Sequence, residues 1–246
     1  MESYLTDTLK VPADQIRVLR NGEATRSAII KEFIELQNDP RIEKGDAIVI
    51  FYAGHGGETT APPDWESEGK KTQYILPCDI KTKDNDGKDI HGIPDRTLAS
   101  LLNKLAEVKG DNIVSEYSCV VDIHHIFILQ SVFFDCCHSG SGTRTDEVDS
   151  ARLARVSKLD DNVPSDLDKN LWWHEGARGP SIAPRFAQSG LLSHTILAAC
   201  GARELAQEDN TRRGVFTKAL LTTLRTVGAD KVTYRDILTR MPALPS

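Results

Sequence analysis

Two side chains far apart in the chain could together do nucleophilic chemistry. His55 stands in Ala53-Gly54-His55-Gly56-Gly57, and Cys137 in Asp135-Cys136-Cys137-His138-Ser139-Gly140. The thiolate, not the thiol, attacks a carbonyl, and a free thiol near neutral pH is only partly ionised. A nearby imidazolium lowers the thiol pKa and can then protonate a leaving amine. Cys137 and His55 fill those roles. A developing oxyanion would sit against backbone N–H groups, those of Cys137 and Gly56. Such a site needs no metal. Taken alone, Cys137 reads better as a small buried core residue, since free cysteine is common in cores. The case for chemistry comes from the pair.

Both residues leave elements of one design. Ala47 to Tyr52 and Val132 to Asp135 are apolar runs of strand length, each followed by a glycine-bearing turn. If the two strands lie parallel and close, both turns open at the carboxyl edge of the sheet, where open α/β sheets place their sites. Neighbours on a strand point to opposite faces, so Cys136 and Cys137 must be told apart; the bland reading of Cys136 is a small core residue, and of His138 a structural or turn-forming one.

The other elements follow from periodicity. Gln15 to Leu19 and Gln73 to Pro77 are short strand candidates, and His194 to Cys200 is a buried one. Helices are expected over Glu23 to Gln37, Asp95 to Leu105, Gly214 to Val227 and Tyr234 to Arg240. Residues 56–72, 79–93 and 143–190 read as loops, the last with Trp172-Trp173 as an anchor to the body. Strands alternating with helices argue for an α/β fold, a three-layer α/β/α sandwich around a mostly parallel central sheet.

Composition narrows the function. A formal net charge of -6 favours neither nucleic acid nor an anionic membrane surface as a partner. No apolar run reaches membrane-spanning length, and Met1 to Leu5 lacks the layout of a secretion signal. Five cysteines without disulfide-like spacing fit a reducing compartment, so a cytoplasmic or nuclear location is expected. A metal site built from Cys136, Cys137, His138, His124 and His125 is disfavoured, because adjacent ligands cannot easily reach one ion.

Tyr52 to Gly56 and Asp135 to Gly140 together resemble the paired motifs of the caspase-like cysteine peptidases, and specifically the metacaspase branch of fungal type. The resemblance runs from about Gln15 onward and implies a cysteine endopeptidase with a role in regulated proteolysis or programmed cell death. It implies His55 and Cys137 as the catalytic dyad and cleavage after Arg or Lys, with Asp135 receiving the basic side chain. A further family acid falls near Cys200-Gly201-Ala202, where only the displaced Glu204 is present. Calcium activation is common in that branch. Lys70-Lys71-Thr72-Gln73 occupies the family's acidic position, leaving Asp64, Glu66, Glu68, Asp79 and Asp95 as oxygen donors on offer. Asp84-Asn85-Asp86-Gly87 fails the EF-hand spacing and reads as a solvated turn.

The resemblance divides the chain into a large-subunit-like part, 1–142, a linker-like part, 143–190, and a small-subunit-like part, 191–246. Self-cleavage is expected in the linker, at Arg144, Arg152, Arg155 or Lys158. The family's first strand and helix have no counterpart before Gln15, and the chain stops at Ser246 soon after the last helix, where the family continues; the resemblance therefore suggests truncation at both ends. Val114 to Gln130 interrupts the family pattern and reads as an insertion or a translated retained intron. The competing functional class is an inactive caspase-like binding or scaffold module.

Overall fold

The computed structural model describes residues 1–65, 71–110, 131–135, 153–154, 162–172, 195–199, 207–209 and 213–243. In chain order the elements are α1 (Arg26–Asn38), β1 (Val49–Ala53), β2 (Gly56–Thr60), β3 (Lys71–Ile75), β4 (Ile93–Pro94) and α2 (Asp95–Lys109). They continue with β5 (Ser131–Asp135), β6 (Leu153–Ala154), α3 (Lys169–Trp172), β7 (Thr195–Ala198), β8 (Gln207–Glu208), α4 (Val215–Val227) and α5 (Tyr234–Arg240). The expected insertion, residues 114–130, lies outside the described residues, as do Cys136, Cys137, His138 and the four expected self-cleavage residues.

The fold is α/β. Three strands form a parallel sheet in the order β1-β5-β7. The other five described strands pair antiparallel, β2-β3-β4 in one sheet and β6-β8 in another. Among the described residues, parallel pairing is confined to the strands that carry the two motifs and to β7.

The apolar residues of β1 alternate between two cores, as a period of two requires. Ile50 and Tyr52 pack with Phe33 of α1 and Leu98, Leu101 and Leu102 of α2. Phe51 packs with Phe216, Leu220 and Leu224 of α4, together with Tyr4 and Ile237. The leucines of α2 show why its helix was legible. Leu98, Leu101, Leu102 and Leu105 recur on one face and are at most 2% exposed. Burial of each such side chain contributes about 1.5–3 kcal/mol. Lys109 closes this layer, its ammonium donating to the carbonyls of Asp39 and Ile42 just past α1.

Helix starts are secured by side chains. Thr25 accepts from the Ala28 amide at the start of α1, and Asp79 accepts from the Arg26 amide. Thr233 and Asp236 form a reciprocal capping box at α5. Asp84 accepts from the Asp86 and Lys88 amides, giving the solvated turn expected there.

Three local expectations are corrected, the first being that 143–190 is loop: β6 and α3 lie within it. Residues 56–60 are strand β2, not loop; they pair with β3 from Gly56↔Ile75 to Thr60↔Lys71. Gly-Gly-Glu-Thr-Thr has no apolar alternation, so only its partner strand reveals it. The segment from Ile16 to Leu19 forms no ladder among the described residues. Arg17 instead pairs with Glu32, Glu35 and Asp39 of α1 and its end.

Candidate active site

The two motif strands are direct neighbours. β1 and β5 run parallel in the register Val49↔Ser131 to Ala53↔Asp135. The ladder extends one step further, where the Gly54 amide donates to the Asp135 carbonyl at 3.4 Å. His55 lies two residues past Ala53 and Cys137 two residues past Asp135, so the register gives both the same offset from paired strand ends. Cys137 itself lies outside the described residues.

His55 is exposed at the junction of β1 and β2. Its backbone is fixed from two directions. The Leu76 amide donates to the His55 carbonyl at 3.0 Å, continuing the β2-β3 ladder. The Tyr52 hydroxyl donates to the same carbonyl at 2.8 Å and lies 3.0 Å from the Leu76 carbonyl. Reaching that point takes the tyrosine ring across Gly54. A Cβ there would stand 2.5 Å from the Tyr52 hydroxyl oxygen and 2.7 Å from the adjoining ring carbon. Only a glycine leaves room for the ring at this distance. Tyr52 therefore positions the histidine turn, a role that sequence reasoning missed. The available signal was a tyrosine at the strand end, two residues before a glycine.

Gly56 is buried at the first position of β2. In an antiparallel ladder, hydrogen-bonded and non-hydrogen-bonded pairs alternate. Since the Leu76 amide bonds to the His55 carbonyl, the next pair, Gly56↔Ile75, is of the non-bonded kind. The Gly56 N–H is thereby directed away from β3, as an oxyanion donor would have to be.

Asp135 ends β5 and is wholly buried, at 0% exposure. Its carboxylate accepts from the Thr217 hydroxyl and, at 3.3 Å, from the Thr217 amide. Thr217 is the third residue of α4, whose N-cap is Gly214. A glycine cap brings no side-chain acceptor to the free N–H groups of a helix start. Asp135 supplies that acceptor from another element, with its negative charge at the positive end of the helix dipole. The packing is tight, since a Cβ on Gly214 would lie 1.6 Å from the Asp135 Oδ2. Thr217 and Gly214 were not singled out from sequence; a helix with glycine at its cap was the usable clue.

Of the described carboxylates offered for calcium, Asp64 is exposed, while Asp79 and Asp95 hold hydrogen bonds within the fold. Asp79 holds the Arg26 amide at the start of α1. Asp95 holds the Thr72 hydroxyl and the Arg96 amide, and burial pushes its carboxyl pKa up against these hydrogen bonds. Among the described residues, no three His, Cys, Asp or Glu side chains converge as a metal site would need. Glu66 and Glu68 lie outside the described residues, as does Glu204. No described helix is long and apolar enough to cross a membrane.

A family model described as Caspase domain matches residues 1–244. A crystal structure of a protein from Geobacter sulfurreducens is similar over 93% of this chain and 73% of that one, with 16% identity and a TM-score of 0.51. At that identity the likeness is one of fold. No curated protein matches the chain.

Proposed function

The chain belongs to the caspase-domain family, and on that premise we propose that it is a cysteine endopeptidase of the metacaspase type, cleaving after Arg or Lys through a Cys137/His55 dyad. The observation that carries this is the β1-β5 register, which sets both residues at the same offset from paired parallel strand ends. The Cys137 thiolate attacks the scissile carbonyl carbon. The oxyanion is held by the N–H groups of Cys137 and Gly56. The His55 imidazolium protonates the leaving amine, giving a thioester and a free amino end. His55 then takes a proton from water, which attacks the thioester, releases the carboxylate product and restores the thiolate.

Asp135 is the carboxylate proposed to favour a basic side chain. Being enclosed and tied to Thr217, it would act by its charge from the floor of the pocket rather than from the rim. The two cores on alternate sides of β1 support a three-layer sandwich for the whole domain. Self-cleavage between 143 and 190, protein or peptide substrates, a cytoplasmic or nuclear setting, and regulated proteolysis including cell death complete the proposal.

The test is hydrolysis of fluorogenic peptides ending in Arg or Lys. Wild-type protein is expected to cleave them, and Cys137→Ala and His55→Ala to lose at least about a thousandfold in kcat/KM. Absence of cleavage by wild-type protein under reducing conditions, with and without added calcium, would instead favour the scaffold module.

A further inference from the structure

Within the linker-like region, the stretch from Asn162 to Trp172 docks against the first half of the chain. Two side chains do most of the gripping. The Asp168 carboxylate pairs with Arg26 at 2.5 Å and accepts from the Thr97 hydroxyl at 2.8 Å. Both ionic partners are largely enclosed, with side-chain exposures of 17% for Arg26 and 8% for Asp168. The Trp172 ring lies 4.0 Å from the Arg96 guanidinium carbon, which also stands 4.7 Å from the Trp65 ring. The two indoles meet edge to face with centroids 6.4 Å apart. Arg96 is thus shared between two aromatic faces, an arrangement that attracts a cation by the ring quadrupole.

Backbone groups complete the grip. The Trp65 indole donates to the Ser165 carbonyl at 2.7 Å. The Ser100 hydroxyl donates to the Leu171 carbonyl at 2.7 Å, and the Lys104 ammonium donates to it as well. Val163 is buried with Ala61 and Trp65. Asp168 adopts a positive φ of 59°, a left-handed conformation that Asp tolerates better than most residues. It turns the chain into α3, where its carbonyl accepts from the Leu171 amide. The contacts are ionic, aromatic and main-chain at once, and they are spread over α1, α2 and the loop after β2.

We propose that residues 162–172 are a clasp: a peptide ligand, read by its Asp168 and Trp172, for a socket formed by Arg26, Trp65, Arg96, Thr97, Ser100 and Lys104. The clasp holds independently of the peptide bonds that join it to the rest of the linker. Its use in the cell rests on the self-cleavage proposed above, but its binding does not. A cut between 143 and 161 leaves the clasp on the C-terminal piece, where it ties that piece to α1 and α2. A cut after Trp172 leaves it on the N-terminal piece, with the socket filled. Processing therefore nicks the chain without emptying this socket, and a foreign peptide of the Asp-x-x-x-Trp kind competes only when the clasp is displaced.

The experiment uses the full chain carrying Cys137→Ala, so that no activity is read and self-cleavage cannot intervene. Sites for one sequence-specific protease are placed within 156–159 and within 180–183, and both are cut. Gel filtration with mass spectrometry is expected to find the excised peptide with the body at about one to one. With Asp168→Ala and Trp172→Ala together, retention should fall at least about tenfold, the change that follows from losing a few hot-spot contacts. Release of the wild-type peptide overturns the clasp. Limited trypsin digestion of the uncut chain gives a second readout, because the Lys169 side chain is exposed while its backbone lies in α3. Cleavage after Lys169 should be at least about tenfold faster in the double variant, as local opening becomes easier. Equal rates overturn the proposal even where the twice-cut chain fails to stay in solution.

Discussion

The ends of β1 and β5 are neighbours in one parallel sheet, yet they are held by different means. The end of β1 is secured by local groups. Tyr52, three residues before His55, reaches over Gly54 to hold the histidine carbonyl, and Leu76 of the adjoining ladder holds it from the other side. The end of β5 is secured from afar. Its Asp135 is clamped by Thr217, 82 residues later, at the start of α4. One strand end is built into its own motif, while the other waits on the C-terminal third of the chain. The histidine turn should therefore tolerate damage in α4, and the β5 end should not.

The largest effect is expected at Gly214. A methyl group at 1.6 Å from the Asp135 carboxylate cannot be accommodated without moving the start of α4 or the end of β5. Gly214→Ala should cost about 3 kcal/mol in a denaturant titration, the upper range for overpacking, and should remove peptidase activity. A variant as stable and active as wild type would break the contrast. Next comes Thr217→Val, which takes a hydroxyl from a buried carboxylate and should cost about 2 kcal/mol, with Thr217→Ser recovering most of it.

A smaller loss is expected at the β1 end. Tyr52→Phe removes one hydroxyl from the His55 carbonyl, which keeps its bond from Leu76. Stability should fall by about 1 kcal/mol. In steady-state kinetics kcat should drop by about tenfold with KM nearly unchanged, as for a group that positions a catalytic residue. The smallest effect serves as a control distant from both strand ends. Hydrogen bonds from the Arg41 side chain and amide, with Arg17, hold the Asp39 carboxyl well below the ordinary carboxylate range. Its folded pKa lies below its unfolded one, so its contribution is full above about pH 4 and fades as pH falls toward the depressed value. Asp39→Asn should flatten the acid limb of a stability-versus-pH curve and leave neutral-pH activity unchanged.

How far the sequence could be read follows the same division. The Asp95 start of α2, the boundaries of α5 and the turn at Asp84 were legible, because periodicity and capping act over a few residues. The strand-end design of both motifs was legible for that reason too. β2 was not, since its residues carry no apolar alternation and are defined by β3. Nor was Asp135 legible as a cap for α4, or Asp168 as the partner of Arg26 from 142 residues away. Charged side chains are solvated on most surfaces, and only the folded chain decides which of them are enclosed.

The proposed dyad requires His55 to act on the Cys137 thiol. Alkylation of Cys137 by iodoacetamide, followed by mass spectrometry and measured from pH 5 to 9, tests it most directly. Wild-type protein should react readily at pH 6, and His55→Ala should slow that reaction at least about tenfold while converging with wild type near pH 9, as expected when an imidazolium partner is lost. Superimposable pH–rate curves for the two proteins would mean that the histidine does not act on the thiol, and would contradict the dyad.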